Sequence, residues 1–178
     1  MAEAKKGMTK ADIYKKLQTL KTDNGRYSYL KEISRKAGML SPETKKAFYE
    51  LLGDYALKGR RLNEAVEAYE KAGFKKGLIK AGDKYVEKGR LDDAVEAYEK
   101  AGKKISKKGL IKVGDKCVKK GRLNEAVDAY EKAGFKKGLI KVGDKCVEKG
   151  RLGDAVEAYG KAGFKKGWIK AGDKCVEE

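Results

Sequence analysis

Gly121-Arg122-Leu123-Asn124-Glu125-Ala126-Val127-Asp128-Ala129-Tyr130-Glu131-Lys132-Ala133-Gly134 is one of four copies of a single stretch. The shared pattern Arg-Leu-x-x-Ala-Val-x-Ala-Tyr-x-Lys-Ala-Gly decides the fold. The copies close at Gly73, Gly102, Gly134 and Gly163, which lie 29, 32 and 29 residues apart. A fixed period of this size marks an array of stacked units, none of which buries its apolar face alone. Such a chain is built to hold a partner on a surface more than to transform one in a pocket.

The rest of the unit follows from residues 75–102. Leu78, Ala81, Gly82 and Tyr85 fall at i, i+3, i+4 and i+7, one face of a helix. Gly89 ends that helix. Asp92 is the expected N-cap of the next one, with Asn63, Asn124 and Gly153 at the same position of the other units. The second helix carries Ala94, Val95, Ala97, Tyr98 and Ala101 and stops at Gly102. Its exposed side is marked by acid-first i,i+4 pairs, Glu67–Lys71, Glu96–Lys100, Asp128–Lys132 and Glu157–Lys161, each worth about 0.2–0.5 kcal/mol. They read as a solvated face.

Leu78-x-x-Ala81-Gly82-x-x-Tyr85 followed by Ala94-x-x-x-Tyr98 resembles the tetratricopeptide-repeat pattern. Later units carry it as Leu110, Val113, Gly114 and Cys117, as Leu139, Val142, Gly143 and Cys146, and as Trp168, Ala171, Gly172 and Cys175. The resemblance implies an all-α fold, a right-handed α-α superhelical solenoid of helix-turn-helix repeats. The units are shorter than the family's 34 residues and lack its proline after the second helix. The shortening falls between units, where Ala72 is six residues before Leu78, and should alter the superhelical twist.

The expected organisation is a disordered basic tail (1–9), a degenerate helical capping unit (10–41), and repeats over 42–178. The repeats divide at about 42–73, 74–102, 103–134 and 135–163, with an unpaired terminal helix at 164–178. In the capping unit Gly25-Arg26-Tyr27-Ser28 parallels Gly121 to Asn124, which puts Ser28 on the cap position and Tyr14 and Leu17 on the first helix's apolar face. Ser41 and Pro42 are set to open the next helix as N-cap and first residue. The last helix is not degenerate: Trp168, Ile169, Ala171 and Cys175 are as apolar as their interior counterparts. A terminal unit needs a polar outer face. Trp168 and Ile169 therefore form a self-association face, or the helix belongs to a longer array.

Composition narrows the function. The chain has no His, which removes the commonest general base and metal ligand. Asn24, Asn63, Asn124 and Gln18 are all of its side-chain amides, and with 40% charged residues this leans toward a thermophilic source. The formal net charge is +17, unevenly spread: residues 1–48 hold 12 basic and 5 acidic residues, residues 103–134 hold 10 and 4, and residues 75–102 hold 7 and 6. No apolar run has the length of a membrane span, and Met1 to Gly7 is not a signal peptide, so the expected compartment is the cytoplasm.

Cys117, Cys146 and Cys175 share one repeat position 29 residues apart, one per first helix. Helices pack about 8–10 Å apart and a disulfide needs Cα atoms within about 7 Å, so an apolar packing role is expected. Gly109 to Lys116 and Gly138 to Lys145 brush against a phosphate-loop pattern, but Asp115 or Asp144 follows the second glycine where the pattern requires Lys. No nucleophile–base pair or paired carboxylates stand out. We expect no enzyme activity, no cofactor and no metal.

What remains is a ladder of i,i+4 lysines on the first helices: Lys76 and Lys80, Lys108 and Lys112, Lys137 and Lys141, Lys166 and Lys170. Two readings stand. In tetratricopeptide proteins the first helices line a groove where basic residues hold partner carboxylates, so the resemblance implies a grip on acidic or C-terminal peptide segments. Against this, Asp83, Asp115, Asp144 and Asp173 lie three residues further on and can neutralise the ladder. The three-residue insertion before Leu110 adds a basic patch, Lys103, Lys104 and Lys107, which is a binding loop or a spacer that resets stacking.

The first expectation is a non-catalytic scaffold or adaptor for protein–protein interaction. The alternatives are a basic nucleic-acid-binding repeat protein and a purely structural or engineered repeat without a natural ligand. The nucleic-acid reading suffers because Tyr69, Tyr98, Tyr130 and Tyr159 sit at core positions, leaving no stacking platform.

Overall fold

The computed structural model describes the backbone of residues 8–176 and the side chains through Asp173. The expected tail therefore lies largely outside the described residues, as does the side chain of Cys175. Every regular element among the described residues is helical: α1 (Lys10–Thr19), α2 (Asp23–Ser34), a short 3₁₀ turn (Ala37–Met39), α3 (Pro42–Lys58), α4 (Leu62–Lys71), α5 (Lys75–Lys88), α6 (Leu91–Lys100), α7 (Lys107–Lys119), α8 (Leu123–Lys132), α9 (Lys136–Glu148), α10 (Leu152–Ala162) and α11 (Lys165–Val176).

The helices gather into two compact units. One holds the residues up to Gly82 with Glu96–Lys103, and the other holds Asp83–Val95 with the residues from Lys104 onward. In the first unit α3 packs on α2 and α4 and touches α1. In the second, α7 to α11 pack consecutively, α9 also touches α7 and α11, and α8 touches α10. First helices thus lie beside first helices and second beside second, in two layers. Residues equidistant from the connecting turn meet, as Asp115 and Tyr130 do, so each pair is antiparallel.

Tyrosine between glycines holds this stack together. The buried ring of Tyr130 on α8 lies against Gly114 of α7 and Gly138 of α9, and a methyl group on either glycine would overlap it. Tyr69 stands likewise between Gly53 and Gly77, and Tyr159 between Gly143 and Gly167. Phe74, Phe135 and Phe164, in the links between units, pack on the same tyrosines with ring centroids 5.4–5.7 Å apart. The shortened link is thus itself a packed element: the Phe135 N–H donates to the Tyr130 carbonyl at 2.8 Å, closing α8 as Gly134 turns left-handed. Where the insertion falls, Lys103–Ser106 is irregular, Ile105 leans on Gly109, and the Ser106 hydroxyl caps α7 by accepting from the Gly109 N–H at 3.1 Å.

Three local expectations are corrected. The second helices begin at Leu62, Leu91, Leu123 and Leu152, so Asn63, Asp92, Asn124 and Gly153 are second helical residues and not N-caps. The N-caps Arg61, Arg122 and Arg151 make no side-chain cap. The arginine N–H closes the preceding helix instead, Arg122 donating to the Cys117 carbonyl at 2.9 Å, which moves the start one residue upstream. In the first unit α2 begins after Thr22, so Ser28 lies inside the helix. On α1 Ile13 is buried beside Leu17 while Tyr14 is exposed, because the helix turns the neighbouring position inward. Ser41 and Pro42 open α3 as expected.

Candidate functional site

In the second unit the two layers carry opposite charge. α7, α9 and α11 together hold 13 lysines and 4 acids, whereas α8 and α10 hold 2 lysines and 5 acids. The apolar periodicity forces this segregation. Leu110, Val113, Gly114 and Cys117 of α7 face the core, and the same positions do so on α9. Lysines at the remaining positions therefore line the outer side of the first-helix layer.

All eight ladder lysines are exposed. Lys76 and Lys80 stand on α5 in the first unit, and the other six belong to the second. Lys170 is the ladder residue that finds an acid, Asp144 of the neighbouring α9, at 2.8 Å. Lys112 lies near enough to Glu87 to help hold that carboxyl below its usual range, chiefly set there by the Lys84 hydrogen bond. Lys76, Lys80, Lys108, Lys137, Lys141 and Lys166 make no ion pair with a described residue.

The aspartates have another partner. The Tyr69 hydroxyl donates to Asp54 at 2.8 Å, Tyr130 to Asp115 at 2.8 Å, and Tyr159 to Asp144 at 2.9 Å. Burial, reinforced by these carboxylates, pushes all three phenols well above their ordinary range. Burial also raises Asp144, but the bonds from Lys170 and Tyr159 outweigh it, and its carboxyl is lowered. The acids expected to cancel the ladder thus serve first to anchor the second helices.

An open groove of about 510 Å³ runs between α9 and α11. Val147 and Ile169 supply its apolar surface, Lys166 and Lys170 one wall, and Asp144, Glu148 and Asp173 the acids. Lys137 and Lys141 share the outer edge of α9 with Asp144 and Glu148, by their i, i+4, i+7 and i+11 spacing. Lys103, Lys104 and Lys107 are exposed in and beside the irregular segment before α7. Trp168 and Ile169 are exposed on α11.

Sequence reasoning missed the arginine of the repeat. Arg122 pairs with Glu125 at 2.7 Å and reaches the Gly89 carbonyl at 2.9 Å; Arg151 pairs with Asp154 at 2.7 Å and reaches Asn124 at 2.7 Å. In the first unit Arg61 reaches Asn24 at 2.6 Å. Each clips its unit to the preceding helices. The lysines of the i,i+4 pairs do the same work: Lys100 bonds Glu96 and also Glu70, and Lys161 bonds Glu157 and also Glu131. Part of that face is therefore a seam between second helices, not only a solvated surface. Cys117 and Cys146 are free and buried, and burial pushes both thiols up. Among the described residues no cluster of His, Cys, Asp and Glu gathers as for a metal, and no helix is long and apolar enough to cross a membrane.

No protein-family profile matches the chain, and no curated protein does. A solved structure titled "Crystal structure of MamA protein" is similar at 24% identity over 71% of this chain and 76% of that one, with a TM-score of 0.33. A likeness at that level assigns no family.

Proposed function

We propose that the chain is a non-catalytic, tetratricopeptide-like helical-repeat scaffold, and that the basic layer of its first helices receives an acidic segment of a protein partner. The charge segregation between layers carries the reading. A peptide laid along α7, α9 and α11 meets Lys108, Lys112, Lys137, Lys141 and Lys166 with their ammonium groups unspent on the described residues. Apolar Val147 and Ile169 offer contact beneath. Lysine acts here as a point charge without bidentate geometry, so selectivity for any one acidic motif is modest and the affinity is salt-sensitive. Nucleic acid offers the same charge, but Tyr69, Tyr98, Tyr130 and Tyr159 are buried and present no face for base stacking.

The test is fluorescence anisotropy with a labelled Glu/Asp-rich peptide, its Gln/Asn analogue and an oligothymidine. The acidic peptide should bind, the neutral analogue should not, and affinity should fall between about 50 and about 150 mM salt. Lys137→Glu with Lys141→Glu should weaken binding by about tenfold. Lys119→Glu with Lys120→Glu, at the far end of α7, should weaken it less. An oligothymidine that binds more tightly than the peptide at about 150 mM salt would overturn the choice of partner. Equal losses from the two lysine pairs would overturn the site.

A further inference from the structure

The end of the second unit is made differently from its interior. On α8 two residues serve as acceptors for the next repeat: Asn124 takes Arg151 at 2.7 Å and Glu131 takes Lys161 at 2.8 Å. Their counterparts on α10 are Gly153 and Gly160. Between these glycines Val156 is 45% exposed, whereas Val127 in the same register of α8 is 7% exposed. On α11 Trp168 replaces the leucine of earlier units; it is 46% exposed where Leu139 is 2% exposed. Its indole leans toward α10, with Cζ2 3.7 Å from where a Cβ on Gly160 would stand. Beside it Ile169 is 65% exposed. The end face is thus an apolar patch from which both polar acceptors have been removed.

We propose that this face pairs with the same face of a second copy of the chain across a twofold axis. Removal of the acceptors decides against head-to-tail growth, because an incoming repeat would bring an arginine and a lysine to positions with nothing to receive them. A patch meeting itself has no such unmet cations. Charge then selects the arrangement. A twofold axis parallel to the helices lays α11 of each copy, with four lysines and one acid, over α10 of the other, which carries Asp154 and Glu157 against a single lysine. The perpendicular axis would set lysines on lysines. Val156, Trp168 and Ile169 of the two copies then interdigitate over the ground left flat by Gly153 and Gly160. With three anchors per copy, the dissociation constant should be on the order of 10–100 μM. This inference stands apart from the acidic-partner reading.

Sedimentation equilibrium of the full chain from about 1 to about 500 μM tests it. A monomer–dimer equilibrium without larger species is expected. Ile169→Glu and Val156→Glu should each weaken the dimer about tenfold while leaving the helical circular dichroism and melting temperature unchanged, since both side chains are exposed. A single monomeric species throughout, growth beyond the dimer, or a dimer indifferent to both substitutions overturns the proposal. The arrangement is read by mixing Val156→Cys and Ile169→Cys chains, each in a Cys175→Ala background, and oxidising mildly. A disulfide between positions 156 and 169 should dominate; dominance of 169 to 169 would overturn the crossed geometry.

Discussion

Gly114 and Gly153 are both helical glycines, yet they should respond in opposite directions to the same substitution. At an open helical site, alanine in place of glycine gains up to about 1 kcal/mol of helix propensity. Gly153 has nothing within 4 Å of its methyl position, so Gly153→Ala should stabilise by roughly 0.5–1 kcal/mol. At Gly114 the methyl would run into the Tyr130 ring, which is also held from the far side by Gly138. The overlap costs about 1–3 kcal/mol, exceeds the propensity gain, and Gly114→Ala should destabilise. Tyr130→Phe keeps the ring and removes the bond to Asp115, for a loss of about 1 kcal/mol. Denaturant unfolding of the three variants checks the set, and a stabilised Gly114→Ala would show that the ring does not occupy that space. The glycines were visible as recurring small residues. That two of them from neighbouring units clamp one tyrosine was not, since the ring bridges helices that only packing brings together.

At the scale of the element, the helix ends carry most of what the sequence concealed. The position that ends α7 and α9 belongs to left-handed Gly121 and Gly150, but after α3 it is Arg60, with φ 59°. A side chain in that conformation costs roughly 1–2 kcal/mol. Arg60→Gly should therefore raise the stability of the first unit by about 1 kcal/mol, read as a higher melting temperature; an unchanged or lower one would mean that the Arg60 side chain compensates. Capping preferences placed Asn63 and Asn124 at the N-cap, but the arginine before each helix closes the previous helix and starts the next. This frees Asn124 for Arg151 of the following unit. Propensity reads one helix at a time, whereas this arginine serves two helices and the unit before them.

Over the whole molecule, stability should be bounded on the alkaline side by groups the array itself has made. The folded chain holds the phenolic protons of Tyr69, Tyr130 and Tyr159 that an unfolded chain releases near pH 10, so their contribution is intact below about pH 10 and falls as pH rises beyond it. Lys100 and Lys161, raised mainly by hydrogen bonds to Glu70 and Glu131, act in the same direction above about pH 10.4. On the acid side the lowered Asp144 loses its contribution as pH falls below about 4. Melting temperature against pH should be flat near neutrality and fall above about pH 10, with tyrosinate absorbance rising only as the chain unfolds. Tyrosinate forming in the folded chain would contradict this.

The sequence by itself determined that the chain is helical, where most helices stop, which residues form the core, and that the lysines recur on the first helices. All of these follow from periodicity and glycine placement, which act along the chain. Even the opposite charge of the two layers was present in it, and emerges when residues are summed by helix instead of by segment. Only the tertiary structure decided which acids spend their charge on tyrosine hydroxyls, which arginines and lysines join neighbouring units, and that α10 ends without acceptors for another repeat. Those facts depend on distances between helices, and a one-dimensional pattern fixes which residues share a face but not what stands opposite it.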